Sequence, residues 1–366
     1  MYSTIPYEIG PIRPPSESDS LLVRVTRGCS WNRCGFCKSY QGQQYGQRPV
    51  REIVEGIQVY APQLQEERGR LFTSAFIQDA DPIAIPTKDL AYILTKLKGN
   101  FSAIARITTY ARSTSLVKKS PAEMKELHEA GLTRIHRGVE SGYDPLLRYM
   151  QKGATAESHI EAGKRVKDSG IELSDYVMPG LGGNLFLENQ PAWKNHALET
   201  ARVINEVNPD YIRLRTLVIC PKTALWDKSK HEGFLRLFDQ DIAREISIFI
   251  ENLTEITSQI ESDHKSNVLL ELNGKLPQDK DKMLALVDRY LSMKPIEQYS
   301  FRIGALLGGP ATLDEFKNNG GIQQAFDRLG SMLGRQIKLN LNAFEENERA
   351  NLRLEDVVQG LMTGII

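Results

Sequence analysis

The sequence predicts an α/β fold. A partial (β/α)6 TIM-like barrel is expected over residues 21–235, a mainly helical C-terminal domain over 236–366, and an N-terminal lead-in over 1–20. β-branched and aliphatic runs alternate with amphipathic helical stretches through the first two thirds of the chain, the pattern of parallel strands with helical crossovers. That alternation stops near Leu235 and gives way to helical periodicity alone. Three cysteines, Cys29, Cys34 and Cys37, follow the first strand-like run, at the strand end where sites of parallel sheets gather.

The first strand is residues 21–26, an aliphatic and β-branched run that breaks at Gly28. Strand-like runs follow at 71–77, 102–110, 132–139, 171–178 and 211–219. In the first helix Ile53, Ile57, Tyr60 and Leu64 share a face, and in the second Leu90, Ile93, Leu94 and Leu97 do so. The third helix has the clearest ends: Ser120 as N-cap, Pro121 at the first helical position, Glu123 to complete a capping box, and Gly131 past its end. Two more helices are expected at about 155–170 and 193–207. Six strand–helix units joined by right-handed crossovers make an incomplete barrel. Beyond it Ile242, Ile246, Phe249, Leu253, Ile256 and Ile260 recur every three or four residues, which predicts one long helix with no strand after it. The stretches 279–291 and 313–366 also read as mainly helical.

At 366 residues and 41% hydrophobic content, the chain has enough apolar matter for one barrel-sized domain and a smaller one. Lysine plus arginine equal aspartate plus glutamate at 46 each, so no net field draws nucleic acid or an anionic membrane. The start carries no apolar run of export length, and no later run is long enough to span a bilayer. Clustered cysteines fit metal binding in a reducing compartment better than a disulfide framework, so a cytoplasmic protein is expected.

The cluster is the segment Thr26-Arg27-Gly28-Cys29-Ser30-Trp31-Asn32-Arg33-Cys34-Gly35-Phe36-Cys37. Cys220 is the only other cysteine, so the loop offers three thiolates and no fourth. A structural zinc site is normally closed by four ligands, whereas a cubane iron–sulfur cluster on three cysteines keeps one iron open. A zinc-stabilised loop with a fourth ligand elsewhere is the alternative, although no histidine precedes His128.

Arg27-Gly28-Cys29, Cys34-Gly35-Phe36-Cys37, Gly138-Val139-Glu140-Ser141-Gly142 and Met150-Gln151-Lys152-Gly153 together resemble the radical S-adenosylmethionine (SAM) superfamily. Within it the chain resembles the branch of oxygen-independent coproporphyrinogen oxidase, the Elongator catalytic subunit and the methylthiotransferase core. The lead-in Ile12-Arg13-Pro14-Pro15-Ser16-Glu17 resembles an uncharacterised prokaryotic single-cluster group. The similarity covers roughly residues 21–226, and it departs from the usual motif in having four residues, not three, between Cys29 and Cys34.

The resemblance implies an oxygen-sensitive enzyme of oxidoreductase type with one [4Fe–4S] cluster on Cys29, Cys34 and Cys37 and with SAM on the fourth iron. It also implies a flavodoxin- or ferredoxin-type electron donor and a 5′-deoxyadenosyl radical that takes hydrogen from a small or medium organic substrate. By matching position, Phe36 packs near the adenine, and the segment Gln78-Asp79-Ala80-Asp81 meets the SAM amino group. Asp79 or Asp81 suits that ammonium by charge-assisted hydrogen bonding; an acidic turn before Pro86 is the plainer alternative. Glu140 matches a ribose- or amino-contacting position, with Ser141 beside it. Gly180 and Gly182 match a turn that lets backbone approach the cofactor.

Substrate clues are fewer. Strand periodicity puts Arg106, Thr108, Tyr110 and Arg112 on one face and Arg213 with Arg215 on another. Inward guanidinium groups need anions, which are protein carboxylates, the SAM carboxylate, which Arg106 and Arg215 would meet, or an acidic substrate. Alternation also groups Arg134, His136, Gly138 and Glu140 on one face, so His136 is either a proton donor near substrate or a hydrogen-bonded core histidine. Cys220 is either a hydrogen donor to a substrate radical or a small buried residue. Asp263-His264 is either a polar pair at the site or a surface turn. The absence of a second cysteine cluster points to single-cluster chemistry, and a non-catalytic, regulatory iron–sulfur or zinc protein is the competing class.

Overall fold

A computed structural model describes residues 12–318, 320–332 and 357–363. The chain forms two compact units. The first takes in the described residues up to Val139 with Gln151–Tyr176 and Glu206–Tyr211; the second takes in Glu140–Met150, Val177–Asn205 and the described residues from Ile212 onward.

The first unit is built on strands β1 (Leu21–Arg24), β2 (Ser74–Gln78), β3 (Arg106–Ala111), β4 (Arg134–Glu140) up to Val139 and β5 (Glu172–Val177) up to Tyr176, ordered in space as in the chain. The first three pairings are parallel, with Leu21 opposite Ala75, Ser74 opposite Arg106 and Thr108 opposite Arg134. Every residue of β2 is buried, as expected for a parallel strand covered on both faces. Helices α2 (Thr87–Asn100), α3 (Pro121–Glu129) and α4 (Ala156–Asp168) fill the crossovers, after α1 (Val50–Glu55). Both arms of the α3 capping box form: the Glu123 amide donates to Ser120 Oγ at 3.2 Å and the Ser120 amide to Glu123 Oε2 at 2.8 Å. Thr155 and Ser158 make an equivalent box at α4.

The first helical face departs from expectation. Ile53 and Ile57 are buried but Leu64 is 38% exposed. A π-helical turn, Gly56–Tyr60, lies between α1 and the helix Ala61–Arg68, and its wider winding rotates later residues off the predicted stripe.

The second unit contains β6 (Tyr211–Leu214) from Ile212 onward, β7 (Gln259–Glu261) and β8 (Gly274–Lys275), with Gln259 opposite Lys275 in an antiparallel pair. Its helices include α5 (Ala192–Val207), α6 (Asp239–Glu251), α7 (Lys280–Leu291) and α8 (Pro295–Leu306). Ile204, Ile242, Ile246, Phe249, Val287, Tyr290 and Phe301 share one core. The long helix expected through Ile260 is shorter: α6 stops at Glu251, Glu255 takes φ 56°, and Ile260 lies in β7. Leu253, Ile256 and Ile260 are all buried in that same core, so their spacing records burial, which two backbone conformations satisfy equally. The sixth strand likewise ends at Leu214, short of the expected 219.

Candidate functional site

The cysteine loop leaves β1 through an antiparallel bracket in which Thr26 faces Gln47 and Arg27 faces Gly46. Gly28 sits at φ +66° with Gln44 O 3.1 Å from where a Cβ would be. Asn32, inside the longer Cys29–Cys34 spacing, takes φ 51°, a left-handed conformation asparagine tolerates. Its Nδ2 donates to Tyr40 O at 2.7 Å and closes the loop on itself. Trp31 Nε1 donates to Gln151 O at 2.7 Å, and the Arg33 and Arg112 guanidiniums lie 5.3 and 5.2 Å from the Trp31 ring centre. Cys34 Sγ is 4.0 Å from Lys152 O, and the Cys37 amide donates to Cys34 O at 3.1 Å. The loop and the segment 151–153 therefore form one docked assembly.

Gly153 is the closest contact in that assembly. At φ +68°, a Cβ there would lie 2.5 Å from the Trp31 ring. Gly153→Ala is expected to destabilise the first unit by roughly 1–3 kcal/mol, through backbone strain and displaced tryptophan. Urea denaturation measures this, with a parallel fall in iron retained per chain.

All three thiols are half-buried and free of disulfides. Among the described residues no three histidine, cysteine, aspartate or glutamate side chains converge on a single-ion site. Burial pushes the Cys37 thiol up, and Cys29 adds to that; the Lys152 charge acts the other way. The donor set, three loop thiols with no other cysteine beside them in the sequence, fits a cluster carried on three cysteines.

The acidic turn after β2 is tied to the loop. Asp81 is fully buried and accepts from Ser30 Oγ at 2.5 Å, Ser115 Oγ at 2.6 Å and the Arg112 amide at 3.2 Å. Burial raises its carboxyl above the ordinary range even against these bonds. Ser30 follows Cys29 directly, so Asp81 anchors the cysteine loop. Asp79 Oδ1 meets Arg24 Nε at 3.4 Å and Gln78 Nε2 at 2.7 Å. Phe36 has the Lys152 ammonium 5.9 Å from its ring centre.

Arg106 and His136 converge on Glu17, a residue of the lead-in that sequence reasoning did not single out for a site. Arg106 Nη2 lies 3.4 Å from Glu17 Oε2, and His136 Nε2 lies 3.5 Å from Glu17 Oε1. Burial raises the Glu17 carboxyl, but hydrogen bonds from His136 and Ser20 and the Arg106 charge hold it below its ordinary value. His136 is wholly buried among the rings of Phe76, Tyr110 and Tyr176, at centre distances of 6.3, 6.1 and 6.0 Å.

In the second unit, Glu140 takes φ 64° and Gly180 φ 85°. The Gly180 amide donates to Glu245 Oε1 at 2.9 Å, and a Cβ on Gly182 would lie 2.6 Å from Trp193 N. Ser141 Oγ bonds His196 Nδ1 at 2.8 Å. Arg213 meets Asp263 at 2.6 Å and Glu261 at 2.5 Å, and Arg215 meets Asp263 at 2.6 Å. Burial raises the Asp263 carboxyl, and the two arginines outweigh it. Arg106, Arg213 and Arg215 thus each carry an internal ion pair. His264 bonds Ser266 Oγ at 2.7 Å, and burial, with Arg215, brings its ring down to about 4. Cys220 is buried with Ile296, Ile303, Leu306 and Phe326. His196 and Glu245 escaped sequence reasoning, because neither falls in a motif and α5 and α6 register only as amphipathic helices.

The radical SAM superfamily model matches residues 23–185. The chain is 24% identical over 155 residues to a tRNA uridine(34) acetyltransferase of Methanocaldococcus infernus, 42% of this chain and 28% of that protein. An acetyltransferase of the same name from Methanocaldococcus jannaschii is 25% identical over 152 residues, 41% of this chain and 27% of that protein. An uncharacterised methyltransferase of Pyrococcus horikoshii is 22% identical over 215 residues, 56% of this chain and 41% of that protein. The chain thus spans less than a third of the two archaeal acetyltransferases' length. Among solved structures, Methanocaldococcus infernus Elp3 aligns with TM-score 0.45 and 17% identity, over 75% of this chain and 63% of that one. Escherichia coli coproporphyrinogen III oxidase aligns with TM-score 0.45 and 16% identity, over 64% and 52%.

Proposed function

We propose that this chain, whose residues 23–185 form a radical SAM domain, a domain that works with a [4Fe–4S] cluster and SAM, is an enzyme that cleaves SAM reductively and uses the radical on a small organic substrate. One observation carries the proposal: Cys29, Cys34 and Cys37 are three free thiols on a single fastened loop that offers no fourth cysteine. When bound, the cluster and SAM supply one-electron cleavage of the sulfonium to methionine and a 5′-deoxyadenosyl radical, which takes a hydrogen atom.

The protein's own residues do the placing. The thiolates of Cys29, Cys34 and Cys37 would hold three irons, while Asn32 and Asp81 keep the loop between them in one shape. Trp31 docks the loop on Gln151–Gly153, through its bond to Gln151 O and its ring against Gly153. By resemblance, Gln78, Asp79, Phe36, Glu140, Ser141, Gly180 and Gly182 belong to SAM recognition. Asp81 is read as a positioning residue, since its oxygens are committed to Ser30, Ser115 and Arg112.

Arg106, Arg213 and Arg215 are engaged by Glu17, Glu261 and Asp263, which weakens the case for an anionic substrate. The archaeal relatives carry tRNA-modifying names, but the even charge balance of this chain favours a small molecule. A flavodoxin or ferredoxin suits as electron donor. Among the described residues no helix is long and apolar enough to cross a membrane.

The test is anaerobic reconstitution with iron and sulfide, then dithionite and SAM. Methionine and 5′-deoxyadenosine in equal amounts are expected. A loaded cluster that leaves SAM intact and shows no SAM-dependent change in its paramagnetic resonance spectrum overturns the proposal and favours the regulatory class.

A further inference from the structure

We infer that His196, on α5, is a positioning residue that ties two turns together: the turn 140–143 after β4 and the turn 178–183 after β5. Each of its ring nitrogens serves one of them. Nδ1 accepts from Ser141 Oγ at 2.8 Å, and Nε2 donates to Met178 O at 3.0 Å. Ser141 Oγ in turn accepts from the Tyr143 amide at 3.0 Å, so the imidazole holds the backbone of the first turn through one hydroxyl. Thr200, one helical turn along α5, accepts from the Gly142 amide at 2.9 Å and lies 3.1 Å from His196 Nδ1. On the other side Glu245 accepts from the Gly180 amide at 2.9 Å and stands 3.3 Å from His196 Nε2.

Two conditions make this a fixed tie and not a titrating pair. His196 is 1% and Glu245 2% exposed. Burial brings the imidazole down to about 4, so it is neutral near pH 7, and the same burial raises the Glu245 carboxyl well above its ordinary value. A neutral imidazole has one donor and one acceptor nitrogen, which is the division its partners require. The turns themselves cannot yield: a Cβ on Gly142 would lie 2.2 Å from Glu199 O, and one on Gly182 2.6 Å from Trp193 N. Both turns are thus pressed onto α5, with His196 bonded between them. The inference rests on the reading of Glu140, Gly180 and Gly182 as SAM-recognition positions, and it names the residue that holds those positions in register.

Two conservative variants separate the two bonds. His196→Asn retains an acceptor where Nδ1 was and loses the donor to Met178; His196→Gln retains a donor near Nε2 and loses the acceptor for Ser141. Amide hydrogen exchange on the cluster-loaded protein is expected to rise across 178–183 in His196→Asn and across 141–143 in His196→Gln. SAM itself is titrated against the cluster's paramagnetic resonance signal, and its half-saturating concentration is expected to rise about tenfold in each, the worth of one hydrogen bond. Unchanged exchange in both turns, or exchange rising everywhere alike, overturns the tie. Selective exchange with unaltered SAM half-saturation overturns its positioning role. Wild-type protein that shows no SAM response refutes the underlying radical SAM reading, and the exchange pattern then still decides whether the tie exists.

Discussion

Cys34→Ala protein, reconstituted anaerobically, is expected to release no 5′-deoxyadenosine above background and to lose the cluster's visible absorbance. Three thiolates on three irons are the minimum that leaves a single iron open, and with two the cubane has two unprotected corners. The substitution is also mild for the fold. Cys34 is half-buried, and its sulfur lies 4.0 Å from the Lys152 carbonyl, a weak contact to lose. Loss of activity with an unshifted urea midpoint therefore reports lost ligation and not unfolding. Cys220→Ala is the matched control. That thiol is buried against Ile296, Ile303 and Leu306, so its removal is expected to lower stability by about 1 kcal/mol while the iron content stays whole. Near-normal SAM cleavage by Cys34→Ala overturns the three-cysteine assignment.

The elements that depend on local signals were legible in the sequence. Parallel strands buried on both faces read as apolar runs, and β2 through β5 fall within a few residues of the expected limits. The α3 capping box was legible because its chemistry is written in Ser120, Pro121 and Glu123 alone. Leu64 was misplaced because a π-helical turn leaves no compositional mark. Ile260 was misplaced because burial in one core imposes the same spacing on a helix and on the extended segment after it. At the site, the cysteines were visible as a motif, but the partners of the arginines were not. Glu17 lies 89 residues from Arg106, and Asp263 lies 50 from Arg213, so only the folded chain brings them together. His196 and Glu245 were hidden for the same reason: an isolated histidine or glutamate on an amphipathic helix carries no sign of its partner until the helix is packed.

Arg137→Leu is expected to destabilise the first unit by about 3–5 kcal/mol, a larger loss than either Gly153→Ala or Cys220→Ala should cause. Arg137 lies in β4 and Asp175 in β5, and both side chains are wholly buried. The guanidinium donates from Nε and Nη2 to the two Asp175 oxygens at 2.8 and 2.6 Å, and from Nη1 to His159 O in α4 at 2.5 Å. It therefore joins two adjacent strands to the helix that covers them. Room for it exists because Gly163 of α4 has no side chain: a Cβ there would lie 2.9 Å from Arg137 Nη2. Taking the arginine away removes the charge that compensates a buried carboxylate and frees the His159 carbonyl, and both losses are costly where water cannot replace the bonds. The same reasoning makes the pair a poor source of net stability, since desolvating both ions costs about what their attraction returns. The double variant Arg137→Leu with Asp175→Leu is accordingly expected to recover most of the loss, and urea denaturation of the four members of the cycle measures the coupling. Additive losses in the double variant would show that the two side chains stabilise the unit separately, through their other contacts, and that the bidentate pair across β4 and β5 contributes no coupling of its own.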